Sequence, residues 1–158
     1  MTIAMAVRTA VEVAGVFLAV LSFSVLIETP KKYLLRSGFV GAMAGLAYLI
    51  CIQMGYGAVG ASFVSALLAA FMAHVFARIF KTPVTLFLVA GILPTVPGNG
   101  MYQTVHFLLE NNEKMAGYYL IQTGEIAGVI ALAIFIMDNL FQAALKLQKN
   151  DRKSDGKS

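Results

Sequence analysis

Charge is what this chain has least of. Asp, Glu, Lys and Arg together make up 13% of its 158 residues, where an ordinary soluble domain carries about 25%. Hydrophobic residues account for 59%, and the mean hydropathy is +0.78. Too few polar groups remain to cover a globular surface, which excludes a soluble enzyme, a nucleic-acid-binding module and a disordered regulator. Cysteine is nearly absent as well. Cys51 alone cannot form an internal disulfide, and within its apolar run it reads as a small buried hydrophobe. The two histidines, His74 and His106, stand 32 positions apart, so no metal-ligand spacing exists and no metal site is expected. Ser62 or Ser65 with His74 would make a nucleophile–base pair, but neither serine lies in a nucleophile motif or beside an oxyanion-hole glycine loop. No catalytic residue, cofactor or enzymatic activity is therefore expected.

What the chain does have is long apolar runs. A bilayer core about 30 Å thick needs about 20 apolar residues per helix. Five stretches qualify: about 3–27, 38–54, 57–80, 84–109 and 115–141. The first is followed by Lys31 and Lys32, lacks a basic start and an A-x-A-like site, and so reads as a retained anchor. The membrane domain then covers 1–147, and 148–158 form a polar tail expected to be disordered. With five spans, ten of the twelve basic residues share one face: the loop with Lys31, Lys32 and Arg36, the loop with Arg78 and Lys81, and the tail. Only Arg8 and Lys114 lie opposite. The positive-inside rule then sets the amino terminus outside and the carboxyl terminus in the cytoplasm. The net charge of +4 is thus a topology signal and needs no anionic ligand. The expected fold class is an all-α integral membrane protein of five transmembrane helices.

The fourth span is expected to be broken at Pro94–Gly100. Taken over 84–109 it would be roughly 39 Å long as a helix, with its midpoint at Val96–Pro97. Pro94 and Pro97 each remove a backbone donor and clash with the preceding turn, while Gly98 and Gly100 free the backbone. Such a break cannot face lipid. Either it is a kink fixed by packing or it builds a transport site, as discontinuous helices do when their half-helix ends receive ions or substrate groups. Two prolines and two glycines in seven residues exceed what a kink requires, which favours a site.

Ile92–Tyr102 also contains P-x-x-P-G-x-x-x-Y, from Pro94, Pro97 and Gly98 to Tyr102. This run resembles the signature of the threonine/serine exporter family, and in particular its small YjjB-type subunit, whose partner is a larger YjjP-type membrane subunit. The likeness extends through the Glu110–Tyr119 connection to the last span. It implies secondary export of a small amino acid such as threonine or serine across the bacterial inner membrane, jointly with that partner. Some split pairs of this type are associated instead with dicarboxylate (succinate) export. Pro94, Thr95, Pro97, Gly98, Asn99, Gly100 and Tyr102 are then the candidate substrate path. A membrane scaffold that moves nothing is the rival from another class.

An ionisable group at mid-helix costs about 2.5–3.5 kcal/mol on insertion scales, so each one is a candidate. Glu125 leads, flanked by Gly124 and Gly128 in a G-x-x-x-G that admits a close neighbouring helix. It reads as a coupling or substrate-binding carboxylate, or else as a hydrogen-bonding contact to a partner helix. Gln122, His74 and His106 are secondary candidates: His74 for proton relay or a single buried bond, His106 for an exit path or the interface. Arg8 and Glu12 are expected to pair with each other or with lipid headgroups, Arg78 to snorkel, Asp138 to counter the basic tail, and Tyr118 and Tyr119 to anchor at the interface. Small-residue faces on spans two, three and five suggest close association with other helices.

Overall fold

The computed structural model describes the backbone of residues 3–155 and the side chains of 7–146. It is all-helical: α1 (Ile3–Leu26), α2 (Lys31–Gln53), α3 (Ala58–Phe80), α4 (Val84–Ile92), a 3₁₀ turn (Leu93–Thr95), α5 (Gly98–Leu109) and α6 (Glu113–Asp155). Four of these helices are long and apolar enough to cross a membrane, or five spans result if the bent pair α4 and α5 counts as one. That architecture is consistent with a multi-pass membrane protein.

Helical hydrogen bonding outlasts hydropathy at two places. α2 begins at Lys31, because Lys and Arg are good helix formers whatever the lipid boundary. Its preceding residue, Pro30, has no N–H to satisfy. α6 continues without interruption through the expected polar tail to Asp155, and 156–158 lie outside the described residues.

The tight turns share one device. Glu28, Gly55, Lys81 and Asn111 each take the left-handed conformation, at φ of 57°, 89°, 52° and 56°. The following N–H then returns to a carbonyl in the last helical turn, as Thr29 N–H does to Ser24 (3.0 Å) and Thr82 N–H to Ala77 (2.9 Å). These are Schellman-type closures, which satisfy carbonyls that a helix end would otherwise leave bare. Tyr56 N–H to Cys51 and Asn112 N–H to Phe107 complete the set.

Short turns make neighbours antiparallel, and small residues let them close. α1 lies on α2 where Gly38, Gly41 and Gly45 receive Phe17, Leu21, Val20 and Val16; a Cβ on Gly45 would come within 2.9 Å of Val16. α3 is the central helix, meeting α2, α4 and α6. Its Ala61, Ser65, Ala66, Ala69 and Ala73 are fully buried, and the Ser65 hydroxyl donates to the Ala44 carbonyl at 2.6 Å. The small faces of α2 and α3 are thus used inside the chain. That of α6 is not: a Cβ on Gly117, Gly124 or Gly128 would meet nothing.

Basic residues gather at one end of this bundle. Arg36 lies 3.8 Å over the Phe80 ring, and Arg78 lies 4.6 Å over Phe141 while donating to its carbonyl at 3.1 Å. Beneath them Tyr33, Phe76, Phe80 and Phe87 form an aromatic cluster. At the opposite end Arg8 pairs with Glu12 at 2.9 Å, and Gln53 donates to the Thr9 hydroxyl at 2.9 Å.

Candidate functional site

The break follows from its sequence residue by residue. α4 runs only nine residues before Leu93, Pro94 and Thr95 tighten into the 3₁₀ turn. The Thr95 hydroxyl turns back to the Ile92 carbonyl at 2.7 Å, and Val96 leaves extended. Pro97 then opens α5, whose axis departs from that of α4 by 52°. Behind the break Gly91 sits against Val40 and Ala69, so α4 is pressed close to α2 and α3. α5 swings away from them and lies along the first half of α6.

Between the two half-helices lies a cavity of about 240 Å³. One wall is the broken segment itself, from Pro94 to Gly100, and α6 supplies Tyr119, Gln122, Thr123 and Ile126. Tyr48 near the end of α2 and Ala58 and Ser62 at the start of α3 close the remainder. The cavity therefore lies in the half of the bundle away from the basic end. Among the described residues no charged side chain lines it. The side chains of Ser62, Asn99, Gln122 and Thr123 form no hydrogen bond among the described residues. A larger groove of about 560 Å³ between α1 and α2 is walled by Val13, Phe17, Leu46 and other apolar groups. It suits acyl chains better than a polar solute.

Six of the seven expected path residues, Pro94, Thr95, Pro97, Gly98, Asn99 and Gly100, meet at this cavity, as does Gln122. Tyr102 does not. It is exposed on α5 and stacks on His106 with ring centres 5.9 Å apart, and His106 in turn approaches Glu110 at 3.4 Å. Glu125 lies off the cavity, on the exposed face of α6 with Gly124 and Gly128. His74 is elsewhere again, buried between α3 and α6. Its Nε2 is 2.8 Å from Asp138 Oδ1, and its ring stacks on Phe141 at 4.5 Å. Among the described residues no three His, Cys, Asp or Glu side chains gather as metal ligands.

Sequence reasoning passed over Thr123 and Tyr48, and it weighed Ser62 only as a nucleophile. Thr123 carried a signal: with Tyr119, Gln122 and Ile126 it repeats at three- and four-residue steps, a single face of α6.

Residues 12–140 match the family model described as Threonine/Serine exporter, ThrE, which covers most of the chain. The chain belongs to the threonine/serine exporter family. The match includes the whole of the break and every residue lining the cavity. Neither a curated protein nor a solved structure matches the chain. For this member of the exporter family, a membrane protein with a polar chamber at a helix discontinuity, the arrangement can bind a small polar solute. Backbone groups, hydroxyls and the side-chain amides of Asn99 and Gln122 are what it offers such a solute.

Proposed function

We propose that this chain is the small membrane subunit of a two-component secondary transporter exporting small amino acids such as threonine and serine. It crosses the bacterial inner membrane five times, with α4 and α5 as the fourth span, the amino terminus outside and the carboxyl terminus in the cytoplasm. The clustering of Lys31, Lys32, Arg36, Arg78 and Lys81 at one end supports that orientation. The larger YjjP-type subunit supplies the other half of the transport path. No nucleotide-binding loop occurs in the sequence, so an ion gradient or the membrane potential supplies the energy.

The observation carrying this reading is the uncharged polar cavity at the break, within a chain of an exporter family. A chamber with no charged lining suits a zwitterion, whose opposite charges partly offset each other, better than a dicarboxylate, whose two negative charges would find no counter-charge there. That favours an amino acid over succinate. Glu125 stands outside the cavity, so in this reading it acts at the seam with the larger subunit, as the coupling carboxylate.

Efflux from cells lacking both subunits and complemented with one or both tests the assignment. Radiolabelled threonine and serine should leave only when both are present, with succinate unaffected. Amino-acid efflux that persists undiminished without this chain would overturn it.

A further inference from the structure

The first turn of α5 has no side-chain cap, as those of α2, α3 and α4 have none, and it opens onto the cavity. A helix leaves its first N–H groups without intrahelical acceptors, and a Ser, Thr, Asp or Asn side chain normally caps them. Here the capping position is Pro97, which has no side-chain acceptor, and no side chain caps the helix. Gly98 N–H finds the Val96 carbonyl at 2.8 Å, and Met101 N–H finds Pro97 at 3.1 Å. Asn99 and Gly100 N–H have no acceptor among the described residues. Both residues line the cavity.

A second, independent feature faces the same point. Thr123 is only 9% exposed, and its Oγ1 is fully buried without a hydrogen-bond partner. A buried hydroxyl left unpaired is costly, so its position calls for a partner. The other threonines beside the break are already used: Thr95 donates to Ile92, and Thr104 donates to the Gly100 carbonyl at 2.8 Å. Thr123 Oγ1 lies directly against Gly100, where any Cβ would collide with it. Glycine at 100 therefore keeps the hydroxyl and the bare helix start together.

We infer that this corner of the cavity binds a carboxylate. The N–H groups of Asn99 and Gly100 and the hydroxyl of Thr123 donate to its two oxygens. The α5 dipole, equivalent to about half a positive charge at this end, supplies the compensation that no Lys or Arg provides. On the export reading, the group held is the α-carboxylate of the transported amino acid. Recognition through backbone and hydroxyl accepts either threonine or serine, since both present the same carboxylate.

The test is amide NMR of the full chain in micelles, alone and with its partner subunit. It is titrated with L-threonine, and separately with L-threoninamide, which lacks the carboxylate. The amide protons of Asn99 and Gly100 should shift with threonine and stay in place with the amide. Thr123→Val should weaken threonine binding about tenfold, the scale of one hydrogen bond to a charged group, and Thr123→Ser should restore it. Equal responses to acid and amide, no response to either, or unaltered binding by Thr123→Val would each overturn the inference. Transport is scored separately in vesicles holding both subunits. Absent transport with the expected NMR response refutes the export reading and leaves the carboxylate site standing; the converse refutes the site alone.

Discussion

His74 and Asp138 were read as separate residues with separate roles, and they meet across the α3–α6 seam. The histidine side chain is 9% exposed and the aspartate 50%, so one partner is buried and the other reaches the surface. Phe141 stacks on the imidazole and anchors Arg78, which ties three side chains and one carbonyl into a single lock. Removing the acceptor strands a buried imidazole nitrogen. Asp138→Leu should therefore cost about 1–3 kcal/mol, read as a lower unfolding midpoint in detergent. Asp138→Asn retains an amide oxygen that can accept from Nε2–H and should cost less than half as much. Equal losses from the two substitutions would mean that the bond contributes nothing beyond packing. This pairing was not legible in the sequence because the residues are 64 positions apart on different helices. No local period connects them.

At the scale of elements, the break between α4 and α5 is the decisive feature, and its prolines announce it. Each proline removes a backbone donor and clashes with the preceding turn, which disfavours a continuous helix locally. Pro94→Ala with Pro97→Ala restores two backbone donors and removes both ring clashes. The bend of 52° should then relax toward a straight helix and collapse the cavity. Spin labels at Val89 and Val105, both exposed, should move apart in the double variant, with transport lost and the helical content unchanged. An unaltered distance would assign the bend to packing against α6 rather than to proline. The same comparison explains what hydropathy can and cannot read. It marks where lipid lies, so it locates runs such as 57–80, where α3 spans Ala58–Phe80. It does not mark where hydrogen bonding ends, so α2 starts seven residues before the apolar run that begins at Gly38. The break from Pro94 to Gly100 is legible because proline and glycine act on their own backbone. Thr123 is not, because its importance comes from Gly100 on another helix.

At the scale of the whole molecule, α6 is the least covered of the four long apolar helices. Of its most apolar window 11% is buried, against 44% for α3. Its exposed face carries Ile121, Gly124, Glu125, Gly128, Leu132 and Phe135. A carboxylate in the middle of such a face would cost about 2.5–3.5 kcal/mol against lipid, and among the described residues it has no hydrogen-bond partner. The glycines on either side admit a close helix, and no helix of this chain uses them. On the proposed two-subunit reading, a transmembrane helix of the larger subunit offering a donor to Glu125 would satisfy both features at once. Gly128→Leu separates that arrangement from a face that simply meets lipid. The leucine side chain starts in open space, so the unfolding midpoint of the isolated chain should stay within about 0.5 kcal/mol of the original. Against a docked helix the same side chain has no room, so co-purification of the larger subunit should fall at least about tenfold, the equivalent of 1.4 kcal/mol. Gly41→Leu is the matching control: there Val20 already fills the space, and the isolated chain itself should be destabilised. If Gly128→Leu left the complex intact, this face of α6 would simply meet lipid.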